Sequence, residues 1–204
     1  DGVTSISEFK KMGYTSEAMA NYMTLLGWSI PEGMNERFKI SEISQVFGFE
    51  RINKAGAKFD WDKLNWLNSQ VIHEMSPEIL LKKLEPLFKA KGWELPNQNW
   101  GNDLAELIGP SMVLLNDGVK EALPFFEEPI LQADAKKQLE LEDAKIAMKF
   151  IFEELKQIDV SLFSKNQALD LINKTVKECQ IKKGLVMKSL RAALFGTLNG
   201  PDLI

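Results

Sequence analysis

Cysteine and histidine are nearly missing: the chain carries one of each, Cys179 and His73, in 204 residues. A single cysteine excludes an internal disulfide and a cysteine-cluster zinc site, and it fits a reducing compartment. A single histidine excludes a multi-histidine metal centre and leaves one candidate base for a serine–histidine or cysteine–histidine pair. No apolar run reaches the roughly 18 residues of a membrane-spanning helix. The opening Asp1-Gly2-Val3-Thr4-Ser5 is neither an apolar signal segment nor a basic transit peptide. Neither phosphate-cradling glycine pattern, G-x-x-x-x-G-K-[ST] or G-x-G-x-x-G, occurs. Basic residues are outnumbered, 25 Lys+Arg against 29 Asp+Glu, for a net charge of −4. That balance excludes a uniformly basic nucleic-acid binder but leaves room for a basic patch on an acidic body. Strand signals are also absent, apart from a short extended piece near residues 38–40.

What is present is helical punctuation along almost the whole chain. Ser5 with Glu8 reads as a capping box and Gly13 as a stop. Ser16 is positioned to cap a second helix with Ala18, Met19, Tyr22, Leu25 and Leu26 on one stripe. Ser41 is expected to cap a short helix, residues 49–59 to form a loop, and Asp60 to cap a helix with Leu64, Leu67 and Val71 in phase. Met75-Ser76-Pro77-Glu78 is a restart: a cap, a proline at the first helical position, then an acid. Pro86 is expected to kink or break the helix that follows. Helices are expected over residues 99–108, from Pro110 through Val119, over 134–158 as one long helix, from Ser164 with Gln167, and over 184–194. Residues 124–129 read as a phenylalanine-bearing turn. The pattern predicts an all-α fold in two helical subdomains, residues 1–75 and 76–204.

Charge is segregated. Residues 179–201 contain no acid but carry Lys182, Lys183, Lys188 and Arg191. Residues 127–143 carry six acids against Lys136 and Lys137. Such segregation describes either solvated faces or an anion-binding end. Chemistry is harder to find. His73 reads as a helix-end residue. Lys177, Lys182 and Lys183 could lower the Cys179 pKa, but Val176 and Ile181 in phase make a structural thiol the better reading. No catalytic or metal constellation is visible. Trp28, Trp61, Trp66, Trp93 and Trp100 could stack on bases, although aromatics at helical spacing more often fill a core.

The opening nevertheless carries a specific pattern. Thr4 to Phe9, Gly13-Tyr14, Glu17-Ala18, Asn21-Tyr22 and Leu25 to Ser29 resemble the bacterial-type glutamate–tRNA ligase family. The likeness continues through Phe59-Asp60, Lys63-Leu64, Trp66 and Asn68. It returns at Leu190 to Leu194 with Gly196, and at Gly200 to Leu203, so it covers essentially the whole chain. In that family the opening stretch follows directly on the KMSKR loop of the class I catalytic core. The resemblance implies a non-catalytic half. Residues 1–75 would be the helical part of the tRNA stem-contact region, and 76–204 an anticodon-binding helical cage cut short at its C-terminus. No catalytic or metal-binding residue is expected in this stretch, and no cofactor. ATP and Mg²⁺ would be handled in the parent enzyme, which joins glutamate to tRNA through glutamyl-adenylate. The expected partner is the glutamate tRNA, with no DNA, no membrane and a monomeric state, in the cytoplasm or an organelle stroma.

Carried over position by position, the resemblance assigns anticodon contacts to Arg191, Gly200, Pro201 and Leu203. Some relatives have threonine where this chain has Gly200, so a side-chain contact there is lost. Lys63 and Trp66 match positions near the tRNA stem, and Lys182, Lys183 and Lys188 would meet the backbone. Glu106 to Ser111 aligns with the start of an anticodon-facing helix. In relatives that charge only the glutamate tRNA, an arginine at the Ser111 position reads the third anticodon base. That base is cytosine in glutamate tRNAs and guanine in glutamine tRNAs. A guanidinium offers donors only, which suits the acceptors O2 and N3 of cytosine and opposes the N1–H and N2–H donors of guanine. Serine donates and accepts, so it accommodates either base, and the glutamine tRNA becomes a second expected partner. The rival from another class is a helical protein–protein interaction module without RNA binding, which would show an exposed apolar stripe.

Overall fold

The structure is a computed structural model and describes residues 5–54, 56, 58–158, 163–199 and 203. Eleven α-helices and two 3-10 turns account for its regular structure among these residues, with a single isolated β-bridge, Trp28 to Ile52, in place of any sheet. The fold is all-α. Contact density divides it into two compact units, 1–122 and 123–204.

In the first unit, α1 (Ile6–Met12) starts at the Ser5/Glu8 capping box: the Ser5 hydroxyl accepts from Glu8 N–H and the Glu8 carboxylate accepts from Ser5 N–H at 3.0 Å. It ends at Gly13, φ +100°, where a Cβ would sit 2.8 Å from the Asn116 nitrogen. That close approach and the left-handed backbone both demand glycine. Helix α2 (Ser16–Gly27) is capped by Thr15 rather than Ser16. Thr15 has the extended backbone of a cap, and its hydroxyl accepts from Ala18 N–H at 3.2 Å. Likewise α3 (Ile40–Val46) begins before Ser41: the Glu42 carboxylate reaches back to Lys39 N–H at 2.7 Å and fixes the start there. The stretch expected as loop contains a 3-10 turn, Phe49–Arg51. Asp60 does cap α4 (Trp61–His73), which buries Leu64, Leu67, Val71 and Ile72. With Phe9, Tyr14 and Tyr22 these leucines form the core between α1, α2 and α4.

Helix α5 (Pro77–Ala90) runs unbroken through Pro86, contrary to the expected break. Leu80, Leu81, Leu84 and Phe88 are all buried on its inner face, on both sides of the proline. Burial at about 1.5–3 kcal/mol per side chain outweighs the roughly 3 kcal/mol of an interior proline. Helix α6 (Gln98–Ile108) packs on α5. Pro110 then opens only a 3-10 turn, Gly109–Ser111, and α7 (Asp117–Phe126) begins later, where the Asp117 carboxylate accepts from Val113 and Leu114 N–H. Residues 124–126, expected as turn, finish α7.

In the second unit the long helix expected over 134–158 is two: α8 (Ala133–Glu140) and α9 (Glu142–Leu155), parted at Leu141, whose ψ is +137°. No glycine or proline marks this break. The charge signal is confined to the restart: Glu142-Asp143 in the first turn of α9 match the helix dipole, while Glu140 at the end of α8 opposes Lys137 there. Helix α10 (Lys165–Cys179) starts at the Ser164/Gln167 capping box, and α11 (Lys183–Phe195) ends at Gly196. Ala147, Ile151, Leu171, Ile172, Ile181 and Val186 form the core of α9, α10 and α11.

Candidate nucleic-acid interface

The acid-free segment lies in the second unit and is organised by α11. Ile181, Val186, Ser189 and Ala192 are buried and turn the inner side of the segment to the core. Gln138 of α8 donates to the Ser189 hydroxyl at 3.1 Å and sets that face. Lys188 and Arg191, spaced i and i+3, are neighbours on the helix surface, Lys188 reaching solvent and Arg191 with its Nε enclosed. Lys182, Lys183 and Lys188 are exposed and Arg191 is half-buried. The ion pairs seen in this unit engage Lys145, Lys156 and Lys174. The first turn of α11 holds no acid, while Lys182 caps it and Lys183 opens it. Two cations at the positive end of a helix cost stability, of order 0.3–1 kcal/mol each. An anion placed there would offset that cost.

The far end of α11 is closed tightly. Gly196 has φ +71°, and a Cβ there would press into the Ile130 carbonyl. Its own carbonyl accepts from Gln132 N–H at 2.8 Å, tying residues 130–132 to the helix end. Leu203 is half-buried; Gly200 and Pro201 lie outside the described residues.

The remaining candidates lie in the first unit. Lys63 forms an ion pair with Glu36, and its ammonium stands 5.3 Å from the centroid of the Trp66 ring. Trp66 is 42% exposed, so it is a surface ring rather than core packing. An open cleft beside them is lined by Ser29, Glu36, Asn53, Lys58, Asp60 and Lys63, among others. Ser111 is exposed at the end of the 3-10 turn, not at the start of an α-helix, and its hydroxyl donates to the Ile108 carbonyl at 2.8 Å. The backbone around it is strongly held. Asn68 donates to the Val113 carbonyl at 2.5 Å, His73 Nε2 lies 3.1 Å from the Met112 carbonyl, Leu115 N–H donates to Gly13 at 2.9 Å, and Asn116 donates to Lys11 at 2.8 Å. His73 is thus a helix-end residue with a structural partner.

Cys179 packs partly buried against the second unit's core. Burial pushes its thiol up, and Glu178 adds to this, so the neighbouring lysines do not activate it. Of the tryptophans, Trp28 is buried, with its indole donating to the Gly48 carbonyl at 3.0 Å, and Trp61 sits in an aromatic group with Phe9, Tyr14 and Phe59. Trp28 is thereby closed to stacking, whereas Trp61 keeps 41% of its surface exposed. Two features had no sequence signal. Arg37 bridges Glu17 and Glu74 at 2.7 and 2.6 Å across separate helices. Val46, Phe47, Phe49 and Ile52 leave an apolar group exposed, Phe49 by 81%. Among the described residues no cluster of metal-ligating side chains occurs, and no helix is long and apolar enough to cross a membrane.

Comparison with known proteins places these surfaces in context. Residues 79–204 match the family described as anticodon binding domain, and residues 2–66 match the catalytic domain of class I tRNA synthetases specific for E and Q. A glutamate–tRNA ligase of Prochlorococcus marinus strain NATL2A is 72% identical over all 204 residues, and one of Synechococcus strain CC9311 is 54% identical. The chain spans 43% of the length of each. A crystal structure of a glutamate tRNA ligase from Elizabethkingia meningosepticum, in complex with its amino acid, matches with a TM-score of 0.85 at 24% identity. The match covers 98% of this chain and 40% of that one, and it establishes the fold. The chain therefore belongs to the anticodon-binding-domain family, and along its whole length it is related to the glutamate–tRNA ligases.

Proposed function

We propose that this chain is the tRNA-binding, non-catalytic half of a glutamate–tRNA ligase. The observation that carries this reading is the outward basic face of α11 within the matched anticodon-binding region. Single-stranded anticodon bases are read by stacking and edge hydrogen bonds on a rigid scaffold, with cations nearby for the backbone. In this reading Lys182, Lys183 and Lys188 meet phosphates, while Arg191, Gly200, Pro201 and Leu203 meet bases. Residues 1–75 serve the tRNA stem through Lys63 and Trp66, and residues 76–204 serve the anticodon. Phosphate would have to compete with Glu36 for Lys63, so that contact forms by exchange of one ion pair for another. Ser111 makes the parent enzyme non-discriminating between glutamate and glutamine tRNAs. ATP and Mg²⁺ would be handled by the longer parent enzyme. The reading also has the protein monomeric and cytoplasmic, or stromal in an organelle.

The test is binding of glutamate tRNA transcript across a salt series. Wild type should show a steep loss of affinity with salt. Lys182→Ala, Lys183→Ala and Lys188→Ala together should flatten the slope by about two units, at about 0.7 per contact on single strands. An unchanged slope rejects the basic face of α11 as the contact surface. A second reading, a helical protein-interaction module, draws on the exposed group Val46, Phe47, Phe49 and Ile52. Absence of tRNA binding at low salt would favour it.

A further inference from the structure

The turn at residues 46–52 displays apolar rings that the first unit does not cover. Single exposed apolar side chains are ordinary on a protein surface, but a joined group is not. This group is joined. The Phe47 ring stacks on the buried Trp28 with centroids 5.7 Å apart, and the Phe49 ring meets Phe47 edge to face at 5.5 Å. Val46 precedes them in the chain and Ile52 follows, each 45% exposed. The backbone beneath is fixed from residues 27–30. The Trp28 indole donates to the Gly48 carbonyl at 3.0 Å, Ser29 N–H to the Arg51 carbonyl at 2.9 Å, and Asn53 N–H to the Gly27 carbonyl at 2.9 Å. Phe49 is thus presented to solvent from a rigid base. Gln45, Glu50 and Arg51 lie beside the group and are exposed. An aromatic centre with a polar rim is the anatomy of a protein–protein interface.

The place of these residues in the sequence indicates an occupant. They lie inside the 2–66 stretch that matches the class I catalytic-domain family, and the chain spans only 43% of the Prochlorococcus relative. Among the described residues of the first unit, the exposed large apolar side chains concentrate in this matched stretch; from 67 to 122 only Ile79, Leu107 and Val113 are of that kind. We infer that Phe47 and Phe49, with Val46 and Ile52, form the seat on which the remainder of the catalytic domain packs in a longer ligase. An apolar protein face matches this surface. A phosphate backbone does not, because Glu50 repels it and the Arg51 guanidinium reaches back to the Ile30 carbonyl at 3.4 Å. The inference rests on the chain being part of a longer ligase, not on its binding RNA.

The experiment is hydroxyl-radical footprinting of the chain and of the full-length ligase that contains it, read residue by residue by mass spectrometry. Phe152, 58% exposed in the second unit, serves as the reference ring. The ratio of Phe49 to Phe152 modification should fall about fivefold or more from the chain to the full-length enzyme, because anchors at an interface centre are desolvated. Phe49→Asp in the full-length enzyme should return Phe47 to the reactivity it has in the chain. Phe49 is 81% exposed, so the chain carrying Phe49→Asp should keep its far-UV helix content. An unchanged ratio overturns the inference, as does a Phe47 that stays protected in the Phe49→Asp enzyme. Protection that grows with concentration of the chain alone assigns the face to a second copy and overturns it too. Protection of the full-length enzyme that arises only with tRNA assigns the face to RNA, with the same consequence. None of these results touches the salt slope of the lysine variants, so this inference and the tRNA-binding reading fail separately.

Discussion

Asn68→Leu tests how the candidate discriminating loop is held. The Asn68 side chain is fully buried. Its amide oxygen accepts from the Thr15 backbone N–H at 2.8 Å and from the Thr15 hydroxyl at 3.0 Å, and its amide nitrogen donates to the Val113 carbonyl. Leucine keeps the volume and removes all three bonds. Thr15 is 5% exposed, so its N–H loses its partner in a dry site, which costs about 1–3 kcal/mol. The Thr15 hydroxyl still accepts from Ala18 N–H but loses its acceptor, at about 1 kcal/mol. Val113 is 38% exposed, so water can replace the lost bond at little cost. The expected loss is about 2–4 kcal/mol, a large share of the roughly 5–15 kcal/mol typical of a domain. All five tryptophans lie within residues 1–122, so their fluorescence in a urea titration reports on the first unit alone. The Leu115 N–H, bonded to Gly13, should exchange faster with solvent as the loop loosens. A loss below about 1 kcal/mol, with Leu115 protection intact, refutes the reasoning.

Ser111→Arg should shift the ratio of affinities for glutamate and glutamine tRNAs toward the former by roughly 1–3 kcal/mol, read by competition binding; an unchanged ratio removes Ser111 from the discrimination. ATP–pyrophosphate exchange by the chain, with glutamate and tRNA supplied, should remain at background, and exchange above it would reveal a catalytic centre that the sequence does not display. Gly196→Ala should destabilise the second unit by at least about 1–2 kcal/mol, because alanine must adopt φ +71° against the Ile130 carbonyl. Gly184→Ala, where a Cβ meets open space, should instead stabilise it by about 0.5 kcal/mol, and far-UV dichroism during thermal unfolding distinguishes the two.

Much of the fold was readable because its signals are local. The capping boxes at Ser5/Glu8 and Ser164/Gln167 and the stops at Gly13 and Gly196 all act within a turn of their own residue. The failures share the opposite property. Pro86 sits inside a helix because burial outweighs the local preference, and that burial is tertiary, while Pro124 lies in the last turns of α7. The break at Leu141 carries only a charge signal, which competes with an unbroken run of helix formers. That Lys188 and Arg191 are neighbours on α11 follows from spacing alone, but the enclosure of the Arg191 Nε does not. The setting of Ser111 does not, since its turn is held by Asn68, His73, Gly13 and Lys11, all distant in sequence. Nor could spacing show that Trp66 is exposed while Trp28 is core.

The way the Ser111 turn is braced has an evolutionary consequence. Three tethers hold the backbone of residues 112–115 and a fourth runs through the Asn116 side chain, and none of them uses the side chain at 111, whose hydroxyl bonds within its own turn. Identity at that position is therefore decoupled from the fold, and exposed substitutions of this kind usually change stability by no more than about 0.5 kcal/mol. A lineage could exchange serine and arginine here in either direction without passing through an unstable intermediate. Under the proposed reading, tRNA preference could then be gained or lost in one step, under selection on decoding alone.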